Sequence, residues 1–231
     1  MFGKLLNTTI AALAGLALSA SVPVAHDSSI EAIRDAGGNA TAPSIGSSRY
    51  TTNLSAPAFT RTIELHVDRN FDHREAARIG EAIAEWNVSL NGWIKFEIVN
   101  RSHVVSTAAD AAIKAQGGWV VAKIDGRHPV MQESALRNAL ALKSGIKGGH
   151  VYVLSDRVGN KDLAAIMKHE LGHVLGLPHD DASPLMNTHY SRDKQRCIDM
   201  VAVRSVAQRH KLPFEQLNWC HRSDVGTVAS R

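Results

Sequence analysis

Hydrophobic positions recur along this chain with two different periods, and the switches between them outline its elements. From Arg61 to Val67 apolar and polar residues alternate, with Ile63, Leu65 and Val67 on one face, which predicts a strand. The period then lengthens. Ile79, Ile83, Trp86 and Leu90 recur at helical spacing, and Asp72 followed three residues later by Glu75 supplies the reciprocal cap that starts such a helix. Alternation returns from Trp93 to Val99, weakly from Ala111 to Ala115 and more strongly from Trp119 to Ile124, giving a β-α-β-β-β order. Ser134 to Lys143 holds helix formers with Leu136, Ala139 and Leu140 on one side. Gly145 and Gly148-Gly149 then read as a turn, and His150 to Leu154 as a buried strand. Leu163, Ile166, Met167, Leu171, Val174 and Leu175 mark one amphipathic helix ending at Gly176, and a last helix is expected over 193–210.

The front of the chain fits neither period. Lys4 precedes an apolar, Ala- and Leu-rich stretch from Ile10 to Ala25, the pattern of a secretory signal with small residues for cleavage at Ala20 or Ala25. That stretch is shorter than the roughly 20 residues of a comfortable membrane span. Residues 26–58 are rich in Ser, Thr, Ala, Gly and Asn and read as a flexible leader or short pro-segment. With 231 residues and 44% hydrophobic content, the remainder is expected to form one domain over 59–231, its C-terminal helical part starting near 180. No second long apolar run occurs, so after signal removal no membrane partner is expected, and the protein is read as an exported (extracellular or periplasmic) monomer. The formal charge is +4, but Lys and Arg are scattered among Asp and Glu, so no nucleic-acid partner is assigned. Cys197 and Cys220 are the two cysteines, and export would let them pair; two buried free thiols are the alternative.

One segment carries chemistry: His169-Glu170-Leu-Gly-His173-Val-Leu-Gly176-Leu-Pro-His179. Histidines four apart on a helix project from one face, within reach of a single ion. Glu170 lies between them, next to the metal position, and suits proton transfer rather than ligation. Gly176 can take a positive φ, turning the chain so that His179 comes back beneath the same ion. Three neutral imidazoles leave a fourth position open for water, the ligand count of a catalytic zinc. A chance His-Glu-x-x-His is expected in about one shuffled sequence in forty of this composition, whereas the full pattern arises in on the order of one in ten thousand. That difference sets aside a merely histidine-rich surface helix.

This long zinc signature resembles that of the metzincin metalloendopeptidases. The resemblance implies a methionine-containing turn downstream, and Ser183-Pro-Leu-Met186-Asn supplies one; in metzincins that methionine packs beneath the ligands without binding the metal. The short distance from His179 to Met186 is similar to that in matrixins, whereas Asp180 is more like adamalysins. The implied fold is α+β, a metzincin-like zincin with a twisted, mostly parallel five-stranded sheet, two long helices and a small C-terminal helical subdomain. The tyrosine that reaches zinc in astacins and serralysins lies two residues beyond the methionine, but here Tyr190 lies four beyond, and it is read as packed at the start of the final helix. The leader lacks cysteine, which excludes the cysteine switch of vertebrate matrixins.

The reading is therefore a zinc-dependent endopeptidase acting on polypeptides with one catalytic Zn2+ and Glu170 as general base. A zinc-stabilised binding module without catalysis is the alternative, opposed by the presence of Glu170. By family analogy a peptide would align along an exposed sheet edge near Trp119–Ile124. The pocket beside the zinc, which sets substrate preference, is expected to take its walls from segments around 145–155 and 180–192. Asp68-x-Asn70-x-Asp72 mimics a calcium loop but lacks its glycine and terminal glutamate, so capping is the better account. His128, His150 and His189 have no mutual ligand spacing and are read as isolated, with His150 on a buried strand the one to examine.

Overall fold

The computed structural model describes residues 60–192 and 195–221, apart from 133–135 and 137, together with two short strands at 31–35 and 49–50. The expected signal segment lies outside the described residues. Five strands form the body of one sheet: β3 (Arg61–Asp68), β4 (Ile94–His103), β5 (Trp119–Ile124), β6 (Ala139–Gly145) and β7 (Gly149–Leu154). Their order is β4-β3-β5-β7-β6, parallel throughout except for β6, which runs antiparallel to β7. The expected mixed α+β architecture with a mostly parallel five-stranded sheet is present. Two short strands extend it beyond β6: β1 (Glu31–Asp35) and then β8 (His189–Tyr190). β2 (Arg49–Tyr50) pairs separately with β9 (Cys220–His221). The segment read as a flexible leader thus contributes two strands.

Parallel strands need crossovers, and here these are helices on both faces. The helix α1 (His73–Ser89) starts at the predicted capping box: the Asp72 side chain accepts from the Glu75 amide at 2.9 Å while the Glu75 carboxylate accepts from the Asp72 amide at 2.7 Å. Its buried face, Ile79, Ala82, Ile83 and Trp86, packs with α3 (Asn160–Val174) over Ile63, Leu65, Val67, Trp119, Val121, Val151 and Val153 of the sheet. The Trp86 indole donates to the Lys168 carbonyl at 2.8 Å, tying the two helices one residue before the first histidine of the motif. Val120, Ala122, Leu142 and Leu154 point to the opposite face, where Ile113 and Met131 cover them. β5, buried on both faces, therefore reads as a nearly continuous apolar run.

Three expectations are corrected. Ala111–Ala115 lies in a helix, α2 (Thr107–Ala115), so the order after β4 is α-β-β-β. Its alternating Ala, Ile and Ala also fit one helical turn, and alanine favours that state over a strand. In the described part of Ser134–Lys143, residues 139–143 form β6 rather than a helix. Ala139 to Lys143 are all buried, and from Ala141 on the strand pairs with β7, so sheet pairing overrides the helical preference of Ala, Leu and Lys. The tight return depends on Gly145, whose φ of 118° and contact with the Gly148 carbonyl leave no room for a side chain. Third, Trp119–Ile124 is not a sheet edge, because β5 pairs with β3 on one side and β7 on the other.

The last helix, α4 (Met200–His210), starts later than expected. Asp199 caps it, and Cys197 just before it is joined to Cys220 in a disulfide. The Asp68-x-Asn70-x-Asp72 stretch is used for capping and bridging: Asp68 accepts from the amides of Asn70 and Lys123. Among the described residues no helix is long and apolar enough to cross a membrane.

Candidate metal centre

The predicted helix delivers His169 and His173 from one face, both buried, and the chain then turns at Gly176 with φ of 86°, as the sequence required. A Cβ at Gly176 would also run into the Arg209 guanidinium of α4, so the turn is glycine-specific twice over. Past the turn His179 folds back. One ring nitrogen from each of His169, His173 and His179 falls within 4.8 Å of the other two, and ring centroids are 4.5 to 5.2 Å apart. Among the described residues this is the one cluster of three potential ligands with that spacing.

The hydrogen bonds fix how the rings present themselves. Nδ1 of His169 faces the Leu185 carbonyl at 2.7 Å, and Nδ1 of His173 faces the Leu177 carbonyl at 2.7 Å. Carbonyls only accept, so both Nδ1 atoms are assigned the proton, which leaves Nε2 of each ring as a lone pair. Those two Nε2 atoms lie 2.9 Å apart. Neither neutral ring then has a proton to place between them, and burial, with the adjacent His173 second, holds the His169 imidazole well below its ordinary pKa. Converging neutral imidazoles of this kind suit a divalent cation, and backbone carbonyls behind them are the usual means of orienting such ligands. The residues therefore fit a zinc ion.

Glu170 is fully buried in the same helical turn. Beneath the ligands Met186 is buried against Gly172: a Cβ there would come within 2.5 Å of the Met186 sulfur, so glycine between the two histidines allows the methionine to approach. The loop from His179 to Met186 is closed by Asp180, whose amide donates to the Met186 carbonyl at 2.9 Å and whose carboxylate accepts from Ala182. Tyr190 is buried against Leu140, Ala141, Ala165 and Ile166, and its hydroxyl donates to Asp162 at 2.7 Å. It packs within β8, ahead of α4, rather than at the start of the last helix. Burial first, then the Asp162 carboxylate, raises its pKa, so the phenol stays protonated.

Sequence reasoning missed two groups. Asp199 fastens the methionine turn to α4: one carboxylate oxygen accepts from Ser183 Oγ and the Leu185 amide, the other from the Val201 and Ala202 amides. Leu185, held through its amide by Asp199, also carries the carbonyl that orients His169. Only an N-cap signal, Asp before an apolar run, was visible for it. Second, His150 is not isolated. Buried Asp110 on α2 receives His103 Nε2 at 2.7 Å and His150 Nε2 at 3.0 Å. Burial pushes the Asp110 pKa up, but hydrogen bonds from His150, His103 and the Ser106 amide outweigh it and leave the group below its ordinary value. This cluster joins α2 to the sheet. The His150 ring stacks on Tyr152 at a centroid distance of 4.9 Å, His128 lies tilted against the same tyrosine at 5.3 Å, and His189 is exposed.

Comparison with known proteins falls on the same region. The model of the matrixin family matches residues 56–208, well over half of the chain and all of the histidine motif. Among solved structures, metalloproteinase-II from Bacteroides fragilis is similar at 17% identity and a TM-score of 0.38, covering 66% of this chain and 55% of that one. High choriolytic enzyme 1, a hatching enzyme zinc-protease from the medaka fish Oryzias latipes, is similar at 15% identity and a TM-score of 0.36, covering 66% and 90%. This chain thus spans little more than half the length of the Bacteroides protein. No curated protein matches it.

Proposed function

Because the chain belongs to the matrixin family, we propose that it is an exported zinc-dependent endopeptidase that hydrolyses peptide bonds with Glu170 as general base. The observation that carries this reading is the convergence of His169, His173 and His179 within 4.8 Å, two of them held by backbone carbonyls in the tautomer that presents Nε2 inward. A bound zinc would polarise the scissile carbonyl and acidify the attacking water. His169, His173 and His179 would hold it as neutral ligands, with burial keeping His169 unprotonated.

Glu170, one residue after the first ligand, takes the proton from the attacking water and later delivers it to the leaving amine. Its burial on α3, a helix clamped by the Trp86 indole, fixes the carboxylate in place. Met186 and the Asp199 network hold the floor beneath the ligands. Export through the apolar stretch before Ala25 is consistent with the Cys197–Cys220 disulfide, which persists in an oxidising compartment.

The test compares cleavage of unfolded casein by the wild-type chain, by the same chain with a zinc chelator, and by Glu170→Gln. Replacing the base while keeping the ligands should leave zinc content unchanged and lower turnover by roughly 10²- to 10⁴-fold. Chelation should abolish cleavage. A Glu170→Gln chain that cleaves at the wild-type rate, or wild-type cleavage indifferent to chelation, would refute the reading. Zinc binding without cleavage of any substrate would favour a binding module.

A further inference from the structure

A helix must find partners for its last carbonyls, and the way α3 does so bears on two of the three histidines. Past Leu175 the chain closes with two hydrogen bonds that point back into the helix. The Leu177 amide donates to the Gly172 carbonyl at 3.0 Å, and the Gly176 amide to the His173 carbonyl at 2.8 Å. The Leu175 carbonyl takes part in neither, although Leu175 is only 1% exposed. His210, the last residue of α4, donates to it from Nε2 at 2.8 Å. On the other side of the ring, Nδ1 stands 3.5 Å from the Arg61 guanidinium, which can only donate. Both neighbours therefore assign the proton to Nε2 and the lone pair to Nδ1. Arg209, one residue before, lies against Gly176, where an added Cβ would meet its guanidinium.

These contacts reach the metal centre through a short run of backbone. Leu177 carries the carbonyl that faces His173 Nδ1 at 2.7 Å, and His179 follows two residues later. A shift of the Leu175–Gly176 peptide is passed along this run, because Pro178 fixes one of the few dihedrals between it and His179. We propose that His210 is a positioning residue: by holding the Leu175 carbonyl it fixes the turn that aims His173 and His179 at one point, a role that rests on the zinc reading of that point. Burial lowers the His210 pKa, and Arg61 and Arg209 add to this over the opposing bond to Leu175, so the ring is neutral at neutral pH and keeps Nδ1 as an acceptor. Asp199, the N-cap of the same helix, braces the methionine turn, so α4 meets the centre at both of its ends. The chemistry needed at position 210 is one N–H donor on a side chain of this length. The amide nitrogen of glutamine supplies such a donor, and alanine supplies none.

The test compares the full wild-type chain with His210→Ala, His210→Gln and Arg204→Ala, the last a control on α4 itself that removes this helix's contact with the Phe214 ring. Zinc affinity is read by competition with a chromophoric chelator, and the visible spectrum of the cobalt-substituted chain reports ligand geometry. Amide exchange at Gly176 and Leu177 is followed in the chelated protein. His210→Ala should bind zinc about tenfold more weakly, with an altered cobalt spectrum and faster exchange at both amides. His210→Gln should recover most of the affinity and the wild-type spectrum, and Arg204→Ala should leave both unchanged. His210→Phe keeps a ring and removes the donor, and it gives the same comparison where His210→Ala does not fold. Zinc affinity within about twofold of wild type in the donor-free chain, unchanged exchange at the two amides, no recovery in His210→Gln, or an equal loss in Arg204→Ala would each overturn the proposal. A wild-type chain that fails to bind zinc would overturn the zinc reading along with it, whereas wild-type binding with any of those four results overturns the proposal alone.

Discussion

Replacing Asp199 with asparagine should loosen the zinc ligands from a distance, and the structure gives the size of the effect. Each carboxylate oxygen of Asp199 serves two donors: Ser183 Oγ at 2.8 Å and the Leu185 amide at 2.9 Å on one, the Val201 and Ala202 amides at 2.9 and 3.0 Å on the other. Asparagine caps a helix as well as aspartate does, but it has one acceptor oxygen. With that oxygen on the cap, its NH2 faces the Leu185 amide, and Leu185 is fully buried. An unsatisfied buried donor costs about 1–3 kcal/mol. Asp199→Ala loses the cap as well, about 1 kcal/mol more. The same residue offers its carbonyl, in the next peptide group, to His169 Nδ1 at 2.7 Å and to the Gln195 side chain at 3.3 Å, so displacing Leu185 turns the ligand. Loss of support behind a metal-bound histidine typically lowers metal affinity about 10–100-fold. The assay is urea unfolding of the chelated protein for stability, and competition with a zinc-binding dye for affinity. An Asp199→Asn chain within about 0.5 kcal/mol of wild type, with zinc affinity changed less than about threefold, would refute the link from Asp199 through Leu185 to His169.

Other expectations follow from the same contacts. Asp110 has a depressed pKa in the folded protein, so its contribution to stability is present above the ordinary value of 3.8 and is lost as pH falls through the lower folded value. Urea unfolding of the chelated wild type and Asp110→Asn should therefore show a gap above pH 4 that closes below it, and a gap independent of pH would count against the carboxylate's role. Gly176→Ala places a side chain at φ of 86° against Arg209, and thermal unfolding should show a loss of about 1–2 kcal/mol or more together with weaker zinc binding. Cys197→Ser with Cys220→Ser opens a loop of sequence separation 23 and should cost about 3 kcal/mol by the same measurement; a loss below 1 kcal/mol would show that other contacts hold β9 to α4.

Much of the site was legible in the sequence because its geometry is local. Helical periodicity puts His169, Glu170 and His173 within two turns, and one glycine with positive φ returns His179, so the four candidate side chains follow from spacing alone. The capping box of α1 and the strands at 61–68, 119–124 and 149–154 were equally readable, since each repeats one period without a competing signal. What failed was short or alanine-rich. Residues 107–115 and 139–145 carry too few period-specific positions for local preference to decide, and pairing with β7 settles the second of them. Asp199, Asp110 and the place of Glu31–Asp35 were hidden for a different reason: each depends on a partner between 14 and more than 100 residues away, and a sequence pattern holds no information on such distances. The sequence by itself therefore determined the chemistry of the centre, because a helix converts spacing into direction. Only the tertiary structure decided which backbone carbonyls orient the ligands, in what order the strands stand and that Glu31–Asp35 pairs with β6, because strand order and long-range hydrogen bonds arise from packing the whole chain.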